Sequence, residues 1–161
     1  MQKNFLSALL LYLEPVSIEK NQKITRWNPP QLLELQIHAL NIVSHLVGLV
    51  PQHFHEIEGH KILARFVQMY TDIPRRKSAL MAILNCTFFE FFKIDLEQSN
   101  LIKTMIELIK EQTQPGTLYI RELSFNILSY VTKGCRENQK AFRRAGGIEV
   151  ITQNMQKMEV D

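Results

Sequence analysis

Three histidines, His53, His55 and His60, lie close enough in the chain to bring several imidazole nitrogens around one metal ion. Zinc accepts such ligands. However, no cysteine lies nearby, the segment is predicted to be a loop between helices, and Glu56 and Glu58 are explained equally well as solvated side chains. The spacing of the three histidines is weak support for a metal site when no neighbouring groups are seen that would orient the rings, so the sequence predicts no metal site.

The other nucleophilic and basic side chains form no recognisable catalytic group. His38 and His45 share a helix face with leucines, which favours partly buried, hydrogen-bonded rings over a catalytic pair. Cys86 lies in an apolar helix, where a thiol is usually inert. No serine occupies a G-x-S-x-G turn. We therefore expect a protein that is not an enzyme, with no cofactor and no small-molecule substrate.

Two basic clusters leave two interpretations open. The first is Arg75, Arg76 and Lys77, and the second is Arg143 and Arg144. They could contact acidic partners, including the glutamate-rich tails of tubulin or a phosphate backbone. The favoured interpretation is that they are a solvated helix start and a solvated helix end, and cations near a helix C-terminus are locally favourable. A net charge of +3 is mild for a nucleic-acid module, so no nucleic-acid partner is expected.

The run Phe88-Phe89-Glu90-Phe91-Phe92 is the most unusual local feature. One helix cannot bury four phenylalanines on one narrow face, because consecutive residues diverge by about 100°. Neighbouring helices on both sides could bury them, and this interpretation is favoured. The alternative is that Phe89 or Phe92 projects outward as an interface anchor.

The composition is that of a helical globular chain. Of 161 residues, 45% are hydrophobic and 22% are charged, and Gly and Pro number six each. Cys86 and Cys135 are too few for a disulfide framework and fit reduced thiols of an intracellular protein. The apolar run 5–13 is too short to span a bilayer, so no membrane partner is expected.

Helix signals follow one another along the whole chain. A helix is predicted over 2–13, and Asn28 followed by Pro29 and Pro30 predicts the start of the next. A further helix covers 61–70. Pro74 opens a helix whose apolar positions extend to Phe91, and helices are also predicted over 101–110, from about 118 to 131 and from 148.

These signals repeat with a period that identifies an architecture. The Ile42-Val43-Ser44 pattern recurs 41 residues later, and 41–44 matches 126–129 at a shift of 85. Steps of this size are typical of armadillo/HEAT repeats. The predicted fold is all-α, an armadillo/HEAT-type helical-repeat solenoid of about three repeats plus a leading helix. Residues 1–28 would be a trailing helix and linker, with repeats at 29–72, 73–116 and 117–161.

Each repeat has a joint of small or polar residues before its last helix. The predicted hinge residues are Gly59, Asn100, Gly146 and Gly147. Glycine suits such a bend because it tolerates positive φ and close packing. The string Ala145-Gly146-Gly147-Ile148 resembles the bend before the third helix of armadillo repeats. A phosphate-binding loop would need a preceding strand and usually a lysine.

A longer stretch resembles one family of armadillo-repeat proteins. The string FLSALLLYLEPV, a lysine-rich link, Trp27 before a helix, the string 34–39 and IRELSFNIL at 120–128 are similar to the cilia- and flagella-associated protein 69 family of the ciliary central apparatus. The resemblance implies a cytoplasmic, cytoskeletal protein of the cilium or flagellum axoneme. It implies a non-catalytic scaffold whose partners are other axonemal proteins. Family members are longer, so the chain is expected to be a segment of a longer solenoid or, alternatively, a short paralogue that docks on other chains.

The usual binding surface of an armadillo array is the concave row of third helices. The outward positions are predicted to be Lys61, Arg65, Gln68, Lys103, Glu107, Lys110, Glu149, Gln153 and Lys157. Nuclear-import armadillo proteins carry a ladder of Trp and Asn residues there, which this chain lacks. The alternative function, a soluble cytosolic or nuclear adaptor that binds extended peptides, is therefore less favoured.

Overall fold

The computed structural model describes residues 2–14, 26–111 and 117–158, and all secondary structure in these ranges is helical. The all-α class expected from composition is confirmed. In chain order the described helices are α1 (Gln2–Leu13), α2 (Pro29–Leu49), α3 (Pro51–Glu56), α4 (Gly59–Met69), α5 (Ile73–Cys86), α6 (Glu90–Gln98), α7 (Leu101–Glu111), α8 (Leu118–Thr132), α9 (Arg136–Arg144) and α10 (Gly147–Met158).

Local capping fixes the start of the long helices α2 and α5. The Asn28 side chain accepts a hydrogen bond from the Gln31 amide at 2.9 Å, and the Gln31 side chain accepts one from the Asn28 amide at 3.3 Å. This reciprocal pair satisfies two amides that the helix leaves free. At α5, Asp72 accepts from the Arg75 amide at 3.1 Å. The predicted cap at Asn28 is confirmed.

Within the described residues, the helices after α1 form three successive trios that make equivalent contacts. The long first helices pack side by side, α2 against α5 and α5 against α8. Each third helix packs against the first helix of the next trio, α4 against α5 and α7 against α8. Each short second helix packs against the third helix of the preceding trio, α6 against α4 and α9 against α7. The core is therefore continuous from one trio to the next.

The first helices supply much of this core and are tied across the trios by polar contacts. Leu40 and Val43 of α2 and Ile83 of α5 are fully buried. Removing such a side chain from water contributes about 1.5–3 kcal/mol. Beside them, Asn85 on α5 donates to the Ser44 carbonyl oxygen on α2 at 2.9 Å. This bond satisfies a polar side chain that would otherwise be costly in a half-buried position.

The aromatic run 88–92 is not part of one helix, so the prediction that the helix opened by Pro74 extends to Phe91 is wrong. α5 ends at Cys86, and α6 begins at Glu90. The Thr87 backbone is still helical, with φ −66° and ψ −13°, but the Phe89 backbone is extended, with φ −108° and ψ 124°, so the chain turns between the two helices. The prediction that the run is buried is only partly right, because Phe92 is buried but Phe88 and Phe91 are 57% and 38% exposed.

The joints before the third helices share a backbone conformation. The residue that precedes the helix has positive φ in every trio: 56° at Glu58, 59° at Asn100 and 80° at Gly146. The predicted hinges at Asn100 and Gly146 are of this kind. Gly59 and Gly147 lie one residue later, where an aromatic ring leaves no room for a side chain. A Cβ would lie 2.3 Å from the Phe54 ring at Gly59 and 2.2 Å from the Phe142 ring at Gly147.

α2 is the one described helix that is long and apolar enough to cross a membrane by length and composition. Core helices of water-soluble proteins pass the same test, so the match is weak support for a membrane span. Its buried residues, which include Leu40 and Val47, belong to the core cluster shared with the neighbouring helices.

Candidate functional site

The residues predicted for the binding surface lie on the third helices α4, α7 and α10. Arg65, Gln68, Lys103, Glu107, Lys110, Glu149 and Gln153 are exposed, Lys61 is half-buried, and the side chain of Lys157 lies outside the described residues. Apolar side chains of the same helices point inward, such as Leu63 on α4 and Met105 on α7. α4 and α7 therefore present a polar face away from the core.

Several of these polar side chains already have partners within the chain. Lys61 forms an ion pair with Glu58, and Lys103 lies 3.9 Å from Glu107. Gln68 donates to the Ser99 carbonyl oxygen at 3.0 Å. Exposed pairs of this kind contribute at most about 1 kcal/mol, so a partner protein could replace them at little cost. Gln68 is different, because its bond connects α4 to the joint of the next trio.

The first basic cluster is largely engaged inside the fold. Arg75 donates to Asp72 at 2.6 Å and to the Gln36 side chain at 3.0 Å, and its guanidinium lies 4.0 Å from the Tyr70 ring centroid. Arg76 donates to the Tyr70 carbonyl oxygen at 2.9 Å. Lys77 is exposed and lies over the ring of Tyr119. Two of the three predicted acidic-partner contacts therefore have structural roles.

The second basic cluster faces solvent. Arg143 and Arg144 are both exposed in the last turn of α9.

Glu97 lies near Arg144 and is partly buried. Burial raises the pKa of Glu97, while a backbone hydrogen bond from Ile102 and the charge of Arg144 oppose this shift. Because one Glu97 carboxylate oxygen is buried without a hydrogen-bond partner, its ionised form is poorly compensated.

Three chemically active side chains from different helices meet at the joint between the first two trios. His55 lies near the end of α3, His60 is the second residue of α4, and Asp95 lies within α6. His55 Nε2 hydrogen-bonds Asp95 Oδ2, and His60 Nε2 lies 3.8 Å from the same oxygen. The two imidazole rings stack with centroids 5.1 Å apart and an interplanar angle of 10°.

This group, the His55–His60–Asp95 cluster, has an aromatic wall. The Phe92 ring centroid lies 5.4 Å from that of His55 and 5.3 Å from that of His60, and Phe91 lies 5.2 Å from His55. Burial, followed by the charge of His55, lowers the pKa of His60 to about 4. His60 is therefore a neutral imidazole near pH 7, with a free lone pair on one ring nitrogen.

The sequence placed His55 and His60 together but missed Asp95, which lies 40 residues beyond His55. The repeat period was the one signal that could have pointed to Asp95, because neighbouring repeats of a solenoid pack against each other. His53, the third histidine of the sequence hypothesis, pairs instead with Glu56 at 3.5 Å.

The remaining reactive side chains give little support for catalysis. His38 and His45 are exposed rather than partly buried as predicted, and His45 Nδ1 lies 2.8 Å from the Asn41 carbonyl oxygen. Cys86 and Cys135 are buried free thiols, as expected. Burial raises the pKa of Cys86 far above its ordinary value, which leaves the thiol protonated and weakly nucleophilic.

Comparison with known proteins assigns no family to this chain. No protein-family model matches it, and a search of curated proteins finds no significant match.

Proposed function

We propose that this chain is a non-catalytic scaffold built of armadillo-type helical repeats, which binds other proteins through the exposed faces of its third helices. The observation that carries the proposal is the recurrence of the same three helix contacts from trio to trio. An array of this kind presents equivalent surfaces at regular spacing, which suits large-area association with elongated partners.

The chemistry of the third-helix faces suits partners of mixed charge. Arg65, Lys103 and Lys110 supply cations, and Glu107 and Glu149 supply anions, all on exposed positions. Such surfaces steer association and set specificity more than they set affinity. Of the five residues predicted to contact an acidic partner segment, Lys77, Arg143 and Arg144 are the exposed ones. Arg75 and Arg76 are less suited to this role because their guanidinium groups already have acceptors.

The proposed location is the axoneme of a cilium or flagellum, with the central apparatus as its most specific site. This part rests on the sequence resemblance carried by Trp27, residues 34–39 and residues 120–128. The partners would then be other axonemal proteins, with acidic tubulin segments as candidates for the basic surface.

Fractionation of cilia tests the location. Cilia from the source organism are demembranated, extracted with high salt, and probed for this chain. The proposal expects retention with the axoneme, or release together with central-apparatus proteins. A chain found only in soluble cytosolic or nuclear fractions would remove the axonemal proposal and favour the peptide-binding adaptor.

Charge reversal tests the binding surface. The variant carrying Lys103→Glu and Lys110→Glu changes two exposed positions of α7, and the matched control carries Lys133→Glu and Arg136→Glu, two exposed positions outside the third helices. The α7 variant should lose its axonemal partners in affinity purification while the control retains them. Equal retention by both variants would exclude α7 from the binding surface.

A further inference from the structure

His60 occupies a position where the fold otherwise places an apolar side chain. It is the second residue of α4, and the second residue of α7 is the buried Ile102. His60 is 1% exposed, and neither ring nitrogen has a hydrogen-bond partner. A buried polar group without a partner is costly, so a bound species that satisfies it would be stabilising.

His55 and Asp95 lie beside His60 and complete a set of metal donors. The ligand atoms of His55, His60 and Asp95 all lie within 4.8 Å of one another. In a tetrahedral zinc site with bonds of about 2.0–2.1 Å, ligand atoms lie roughly 3.3 Å apart. The side chains of His55 and Asp95 are 37% and 28% exposed, so an ion from solvent can reach both.

We infer that the His55–His60–Asp95 cluster binds a divalent zinc ion, with the imidazole nitrogens of His55 and His60 and a carboxylate oxygen of Asp95 as ligands. Two imidazoles and one carboxylate form a donor set that suits zinc, whereas magnesium and calcium prefer oxygen donors alone. Three protein ligands leave one position for water or a partner's side chain. Zinc here would connect α3 and α4 of the first trio to α6 of the second.

The aromatic surroundings suit this role. Phe92 is fully buried and its ring contacts both imidazoles, while Phe91 lies at the edge of His55. An apolar wall limits water at the ion and strengthens its interaction with the carboxylate. The inference is independent of the scaffold proposal, because it concerns an ion held within one chain.

The test is zinc binding to the full chain without a histidine tag. Competition with a chromophoric chelator gives affinity and stoichiometry, and cobalt substitution reports tetrahedral coordination through its visible absorption. We expect one zinc per chain and a rise in Tm on zinc addition. Asp95→Asn removes the anionic ligand, keeps the shape, and should weaken zinc binding at least about tenfold, because loss of a group that merely orients a ligand already costs about 10–100-fold.

Two further variants separate binding from folding. His60→Leu replaces the imidazole by an apolar side chain like that of the equivalent Ile102, so it should fold and lose zinc binding. His38→Gln removes an exposed histidine outside the cluster and should bind zinc like the wild type. Substoichiometric zinc uptake by the wild type would overturn the inference. So would wild-type affinity in Asp95→Asn, a change at a partly exposed position that keeps the side-chain shape.

Discussion

The ring of Phe54 lies directly over the backbone of Gly59, so that a Cβ at Gly59 would lie 2.3 Å from the ring edge. Phe142 and Gly147 repeat this relationship in the third trio, where the distance is 2.2 Å. In the second trio the equivalent positions are Leu96 and Leu101, both buried. The joint can therefore be packed in two ways: a phenylalanine over a glycine, or a leucine beside a leucine.

Gly59→Ala should destabilise the protein because the added methyl group overlaps a fully buried ring. Overpacking of this kind costs about 1–3 kcal/mol, measured as a loss in the free energy of unfolding by urea denaturation. Gly48→Ala is the control, since nothing lies within 4 Å of its Cβ position in α2 and the change should be neutral or slightly stabilising.

The two packing solutions also predict coupling. Phe54→Leu combined with Gly59→Ala should be more stable than the sum of the single changes indicates, because the shorter side chain leaves room for the methyl group. Strict additivity would show that the ring and the glycine do not constrain each other.

The left-handed joints predict opposite effects at two equivalent positions. Glu58 has a φ of 56°, which glycine adopts more readily, so Glu58→Gly should stabilise a Lys61→Ala variant, in which the Glu58–Lys61 ion pair is already lost, by about 1 kcal/mol. Gly146 has a φ of 80°, and Gly146→Ala should destabilise it by a similar amount. Thermal melts of the two variants show whether each change raises or lowers Tm. A change of Tm in the same direction for both would argue against an equivalent backbone conformation at the two joints.

Asn138 joins the second and third trios. Its side chain is buried and donates to the Lys93 carbonyl oxygen at 3.0 Å and to the Val131 carbonyl oxygen at 2.9 Å. Asn138→Ala should cost about 1–3 kcal/mol, because buried acceptors lose their donor. Gln139→Ala is the control, since this exposed neighbour donates to one carbonyl oxygen only and should change stability by less than about 0.5 kcal/mol.

Glu97 predicts a dependence of stability on pH. Burial raises its pKa in the folded protein above 4.5, so the folded state holds more protons than the unfolded state just above that pH. Its contribution to stability is therefore complete below pH 4.5 and declines as the pH rises through the folded pKa.

Glu97→Gln removes this titration. The variant should gain stability relative to the wild type as the pH is raised from 4 to 7, measured by urea denaturation at each pH. Subtraction of the two curves cancels the other titrating groups. A gap that stays constant, or that grows in favour of the wild type, would contradict the assigned direction.

The amino-acid sequence by itself determined where most helices begin and how often the pattern repeats. Asn28 and the prolines after it act through hydrogen bonds and backbone restrictions within one turn, so their effect is readable locally. Apolar periodicity likewise identified the inward faces of α4 and α7, where Leu63 and Met105 are buried. The missed break after Cys86 lies where the Phe89 backbone is extended, a change of conformation that apolar periodicity does not report.

Tertiary structure decided which side chains meet between the trios. Asp95 meets His55, which lies 40 residues earlier in the sequence, because α6 packs against α4. Arg75 and Arg76 resemble a free basic surface in the sequence but find acceptors on neighbouring elements once folded. Side-chain chemistry and spacing are local properties, whereas burial and pairing follow from the packing of helices distant in sequence.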